Sequence, residues 1–148
     1  METGWQAALG AIAWSSLGLF LFGTLSGIPF LEGRYRRALA ILSVATLGGF
    51  VFSFIAGFSV GRFTAFLPLV LTAFAVTYGR SIRLQLAAHA TAVALYILLA
   101  WLIPERVGYW GIHIDLPLCA IAYGIAFLRP PPAATRPSSA TRESVGRS

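Results

Sequence analysis

The sequence predicts an all-α integral membrane protein, a small bundle of about five transmembrane helices. Of its 148 residues, 57% are hydrophobic and only 11% are charged. Its mean hydropathy of +0.78 lies beyond the usual balance of soluble domains. Apolar runs of roughly 20 residues, the length that crosses a hydrocarbon core of about 30 Å, follow one another along the chain. We therefore interpret residues 1–129 as one transmembrane domain.

Short charged stretches divide this domain into five apolar runs. The predicted spans cover residues 5–30, 38–60, 63–79, 84–103 and 108–128. Gly61 and Arg62 leave almost no loop between the second and third spans, so these two helices are expected to be antiparallel neighbours. Residues 130–148 are rich in Pro, Ser, Thr, Ala and Arg without an apolar period, which predicts a disordered cytoplasmic tail.

The basic residues, eleven arginines and no lysine, predict the orientation. With the N-terminus outside, only Arg62 and Arg106 lie in outer loops, and the other nine lie in inner loops or the tail. This bias predicts an N-out, C-in topology. The arginines are scattered between the apolar spans, which argues against a nucleic-acid interface. Arginine without lysine hints at a GC-rich genome, and we expect a bacterial or archaeal cell membrane.

Small residues in the second span predict close helix packing. Helices in lipid associate through small side chains, since lipid is as apolar as leucine and burial alone gives no driving force. A four-residue repeat of small residues forms one groove on this span, and a shorter version occurs in the first span; the positions are Ala45, Gly49, Ser53, Gly57, Gly61, Gly23 and Gly27. The groove fits either a helix of the same chain or a helix of a partner.

Polar residues at membrane depth are the candidates for function. Asp115 is the only acid expected there, and His113 lies two residues before it. A buried charge costs about 2.5–3.5 kcal/mol at the centre of the bilayer and less near its surface. Asp115 is therefore a candidate proton or cation site, with Arg62 or Arg106 as a possible ion-pair partner; a structural role is an equal alternative.

Pro117 leaves two geometries open for the fifth span. In one, a continuous helix is kinked at Pro117. In the other, the helix is broken and begins near Pro117, with Asp115 as its N-cap accepting backbone N–H bonds. The second geometry would place residues 107–116 in the outer leaflet as irregular backbone shielded by protein.

Two further patterns in the sequence are candidate chemical sites. Gly57-Phe58-Ser59-Val60-Gly61 matches the G-x-S-x-G pattern of serine hydrolases, but it ends a predicted transmembrane helix and its glycines belong to the packing groove. His89 and His113 are expected at different depths, which argues against a shared haem iron. A single cysteine, Cys119, makes no metal cluster. We expect no metal and no cofactor.

Three functions are compatible with these features. The first is a non-catalytic accessory subunit that binds other membrane helices in a homo-oligomer or hetero-complex. The second is a small transporter or channel component with His113 and Asp115 as its polar site. The third is an intramembrane lipid hydrolase that uses Ser59. The leading expectation is the accessory subunit, and a catalytic role is the least favoured of the three.

Overall fold

The computed structural model describes residues 4–56, 64–102 and 111–132, and every regular element within them is helical. A 3-10 turn, Ile28–Leu31, follows the first α-helix, and a π-helical turn, Gly111–Asp115, precedes the last. The five α-helices of these ranges are α1 Gly4–Gly27, α2 Tyr35–Ile55, α3 Phe66–Thr77, α4 Ile82–Leu102 and α5 Leu116–Leu128. The predicted all-helical bundle is thus confirmed for the described residues.

Three of the helices are long and apolar enough to cross a membrane: α1 with its 3-10 extension, α2 and α4. The third and fifth predicted spans correspond to shorter apolar helices, Phe66–Thr77 and His113–Leu128. The 12 residues of α3 extend only about 18 Å, less than the thickness of a hydrocarbon core. Gly79, with φ of 68°, adopts the left-handed conformation typical of a residue that ends a helix.

The helix at the centre of the bundle is α2. Half of its apolar stretch (50%) is buried, against 6% for α1 and 11% for α4. It contacts α1, α3 and α5, whereas α4 packs mainly on α3. Large apolar side chains of α2, among them Leu39, Leu42 and Phe50, are almost completely buried. The core therefore lies around α2, and α1 and α4 flank it.

The antiparallel helices α1 and α2 approach each other closely through glycines. A Cβ atom added at Gly23 would lie 2.8 Å from the Cβ of Ala45, and one added at Gly27 would lie 2.7 Å from the Cδ2 of Leu42. On the other helix, a Cβ at Gly48 would lie 2.9 Å from the carbonyl oxygen of Ser16. These distances leave no space for a side chain, so backbone packing joins the two helices.

The small-residue groove of α2 is filled by the same chain where it is described. Ala45 lies under α1, and a Cβ at Gly49 would meet the ring of Pro68 at 2.7 Å and that of Phe20 at 2.8 Å. The hydroxyl of the buried Ser53 lies 3.1 Å from that of Thr64. Gly57 and Gly61 lie outside the described residues, as do residues 133–148 of the predicted tail.

Replacement of Gly48 tests the close approach of α1 and α2. We expect Gly48→Ala to lower the free energy of unfolding by about 1–3 kcal/mol, because the new methyl group must displace backbone. Gly18→Ala is the matched control, since a Cβ at Gly18 meets nothing within 4 Å. That variant should be neutral or gain about 0.5–1 kcal/mol from helix propensity. Unfolding by SDS in mixed micelles, followed by circular dichroism, compares the two; equal effects would contradict the packing.

Candidate functional site

The helical segment 111–128 positions the candidate site. A π turn passes directly into α5, and Pro117 lies in the first turn of α5. Asp115 precedes α5 in a helical conformation, with φ of −72° and ψ of −38°, and its side chain makes no capping hydrogen bond. The segment is therefore helical through Asp115, and the alternative in which this carboxylate caps the helix is not observed. Single π turns inside helices are frequent at functional sites.

Asp115 is the most unusual side chain of the interior. It is only 2% exposed, and within the described part of the chain its Oδ1 atom has no hydrogen-bond partner. A buried carboxylate oxygen without a partner loses its solvation and gains no hydrogen bond in exchange. Packing alone does not account for such a group at this position.

Two more polar groups of α5 lie on the same face as Asp115. Cys119 and Tyr123 follow it at intervals of four residues, and they are 3% and 4% exposed. Each interval advances about 6 Å along the helix and keeps the side chains on one side. The opposite side presents apolar residues such as Ile121 and Ile125 outwards. In lipid this arrangement places the polar face of α5 inside the protein.

Threonines from α3 and α2 complete this group. The hydroxyl of Thr72 donates to the carbonyl oxygen of Pro68 at 2.8 Å and lies close enough to Cys119 and Tyr123 to interact with both electrostatically. Thr46 Oγ1 lies 3.0 Å from the hydroxyl oxygen of Tyr123. We call these five residues the polar column: Asp115, Cys119, Thr72, Tyr123 and Thr46. It lies where α2, α3 and α5 meet.

Another polar cluster lies at the end of the bundle where α2 begins and α3 ends. The buried Tyr35 hydroxyl donates to the carbonyl oxygen of Ala75 at 3.2 Å and interacts electrostatically with both Tyr123 and Arg80. Arg80 in turn donates from Nη2 to the carbonyl oxygen of Pro130 at 3.1 Å. These contacts join the ends of α3 and α5 to the start of α2.

A tyrosine outside the column lies at the same end. The hydroxyl of Tyr78 donates to Glu32 Oε1 at 3.4 Å.

The remaining predicted site residues do not join the column. His113 is exposed on the π turn, whereas Asp115 two residues later is buried, so the two side chains do not form one site. His89 is half-buried on α4, and its Nδ1 lies 2.7 Å from the carbonyl oxygen of Gln85. The other predicted candidates lie outside the described residues: Arg62, Arg106 and Ser59.

Four members of the column were not predicted from the sequence as parts of a site: Cys119, Tyr123, Thr46 and Thr72. The signal for two of them was present, because Asp115, Cys119 and Tyr123 follow a four-residue interval on a predicted helix. Thr46 and Thr72 give no such signal, since their role depends on which helices meet. In the described ranges, no group of three or more His, Cys, Asp or Glu side chains could hold a metal ion.

Comparisons with protein families, with curated proteins and with solved structures find no match to this chain.

A double-mutant cycle measures the contact between α2 and α5. We expect Thr46→Val and Tyr123→Phe to show a coupling energy of about 0.6 kcal/mol, and at most about 1.7, as for other hydrogen bonds between membrane helices. A control cycle pairs Tyr123→Phe with Thr91→Val, because Thr91 is exposed on α4 and bonds its own helix at the Ala87 carbonyl. The control coupling should be zero within error. Unfolding free energies in micelles give both values, and equal couplings would contradict the contact.

Proposed function

We propose that this protein is a small transport component of the membrane, in which the buried Asp115 binds a proton or a small cation. One observation carries the proposal: a carboxylate that is 2% exposed, with an oxygen that lacks a hydrogen-bond partner in the described residues, inside an apolar helical bundle. Ionisable residues at membrane depth are expensive, and they characteristically mark pathways for ions and protons.

The distribution of polar groups supports this proposal. The polar column brings side chains from three helices together in the interior, whereas the outer faces of α1, α4 and α5 present large apolar residues. A protein that only had to remain inserted in lipid would need no such concentration. The short helices α3 and α5 both contribute to the column, and helices that do not cross the full membrane are a common way to build binding sites in transporters.

The finer topology is part of the proposal. We infer five membrane crossings, two of which residues on either side of the short helices α3 and α5 would complete, with the N-terminus outside and the C-terminus inside. The contacts of Tyr35 with Ala75 and of Arg80 with Pro130 support this orientation, because they hold three arginine-rich segments at one end of the bundle. Those segments are residues 34–37, 80–83 and 129, which contain six of the eleven arginines. A common positive end favours the cytoplasmic side.

A role as a non-catalytic accessory subunit is the second proposal. It no longer draws on the groove of α2, because α1 and α3 of the same chain fill its described part. It draws on α4, a helix of 21 residues on which only Ala92 and Leu99 are buried. Lipid or the helices of a partner would cover the rest. The two proposals agree if the transport component works within a larger membrane complex.

Labelling of single cysteines tests the topology. In a Cys119→Ala background, we expect Thr3→Cys to react with an impermeant maleimide in intact cells and Ser148→Cys to react only after permeabilisation. The unmodified protein is the control. Its one cysteine, Cys119, is 3% exposed and should react in neither condition. The reverse pattern would refute the N-out orientation.

Removal of the Asp115 charge tests transport. The full chain, purified gently with any bound partners and reconstituted in liposomes, should carry protons or sodium ions under an imposed membrane potential. We expect Asp115→Asn to lower this flux by about 100-fold or more, as loss of a positioned proton-transfer group does. An enclosed pH dye and radioactive sodium follow the two ions.

Glu32→Gln is the matched control for Asp115→Asn. It removes a carboxylate that is exposed and lies outside the helices. We expect its flux to equal that of the unmodified protein. A flux that survives Asp115→Asn in a correctly folded protein, or that is absent from the unmodified protein, would refute transport through this site and leave the accessory role.

A further inference from the structure

The chemical groups of the polar column distinguish between the two kinds of ion that Asp115 could bind, a proton and a small metal cation. Every member is a group that can carry an exchangeable proton: one carboxyl, one thiol and three hydroxyls. Hard metal cations such as Ca²⁺ take six to eight oxygen ligands and are usually held by several carboxylates or carbonyls. The column supplies a single carboxylate, and the described part of the chain has no group of three or more His, Cys, Asp or Glu side chains that could hold a metal ion. A proton needs only one acceptor at a time.

The order of the polar groups along the column also favours a proton over a metal cation. Asp115, Cys119 and Tyr123 lie at successive levels of α5, and Thr72 lies between the last two and interacts with both. The hydroxyl of Thr46 lies beside that of Tyr123, at 3.0 Å. Tyr35, which interacts electrostatically with Tyr123, lies near Arg80 at the arginine-rich end. The groups thus lead from the π turn towards that end.

A hydroxyl can accept one proton while it donates another, and either Thr46 or Tyr123 can be the donor in their shared bond. The hydroxyls of Thr72 and Tyr35 donate to the carbonyl oxygens of Pro68 and Ala75, so each has to rotate before it passes a proton to the next group. Within the column, Asp115, Cys119 and Tyr123 are titratable. The titratable or charged groups that we find beside it in the described residues are Tyr35 on α2, Tyr96 on α4 and Arg80 after α3.

We infer that the ion handled by this protein is a proton, and that it passes between Asp115 and the Tyr35 end of the bundle along the polar column. This inference rests on the proposed transport function and names its substrate. In each step, an O–H or S–H bond of one group breaks and an O–H or S–H bond forms on the next group. One proton therefore moves along the column, and no electron is transferred.

Tyr123→Phe is the variant that separates a proton path from a cation site. It removes the hydroxyl at the middle of the column, and it leaves the Asp115 carboxylate and the ring packing in place. We expect the proton flux of the reconstituted full chain to fall by about 100-fold. Thr46→Val, which removes the hydroxyl that is bonded to Tyr123, should also lower the proton flux.

Tyr78→Phe is the matched control, because it makes the same chemical change in a tyrosine outside the column. We expect its proton flux to equal that of the unmodified protein. Circular dichroism and the unfolding midpoint in micelles establish that Tyr123→Phe and Thr46→Val are folded before their fluxes are compared.

The outcomes separate this inference from the function on which it rests. A sodium flux that depends on Asp115, without a proton flux, would overturn the proton path and retain the transport proposal. A proton flux that depends on Asp115 and is unchanged in both Tyr123→Phe and Thr46→Val would also overturn the path. Absence of any flux sensitive to Asp115→Asn would overturn both.

Discussion

The close approach of α1 and α2 is the interaction on which the rest of the bundle depends. Gly23 and Gly48 bring the two backbones to distances at which a Cβ atom would clash, and this positions α1 along one side of α2. The other sides of α2 are then left for α3 and α5. In a membrane, no hydrophobic force would select this arrangement, and the shape of the small-residue surface would have to do so. Gly49 extends the same surface towards Pro68, which links the first pair of helices to α3.

Short helices in the interior explain where the polar groups lie. Because α3 has only 12 residues, it cannot cross a full hydrocarbon core as a regular helix, and it lies beside α5 against the central helix. Its Thr72 hydroxyl is shielded from lipid there, and it faces the Cys119 and Tyr123 side of α5. The hydroxyls of Thr46, Thr72 and Tyr123 would be unfavourable on the outside of the bundle, and they are stable at this three-helix junction because each has a hydrogen-bond partner there.

The sequence predicted the general fold because its signals are local. Apolar runs separated by arginine indicate helices without any knowledge of their neighbours, and the four-residue interval of Ala45, Gly49 and Ser53 indicates a packing surface. Two spans are shorter than expected, since hydropathy counts apolar residues and does not detect where a helix ends. The site was only partly predictable: Asp115 is visible as a lone acid, but the pairing of Thr46 with Tyr123 is separated by 77 positions and depends on the tertiary arrangement.

The contrast between His113 and Asp115 shows why the interior carboxylate is more informative than the histidine. The two residues are only two positions apart, and the helix turns His113 outwards and Asp115 inwards. An exposed histidine near the end of a helix needs no further explanation. A buried carboxylate oxygen without a partner is unfavourable by about 1–3 kcal/mol or more, and mutation to an apolar residue would remove this cost. A side chain that weakens the fold calls for an explanation other than packing, and ion binding at Asp115 is the one that we propose.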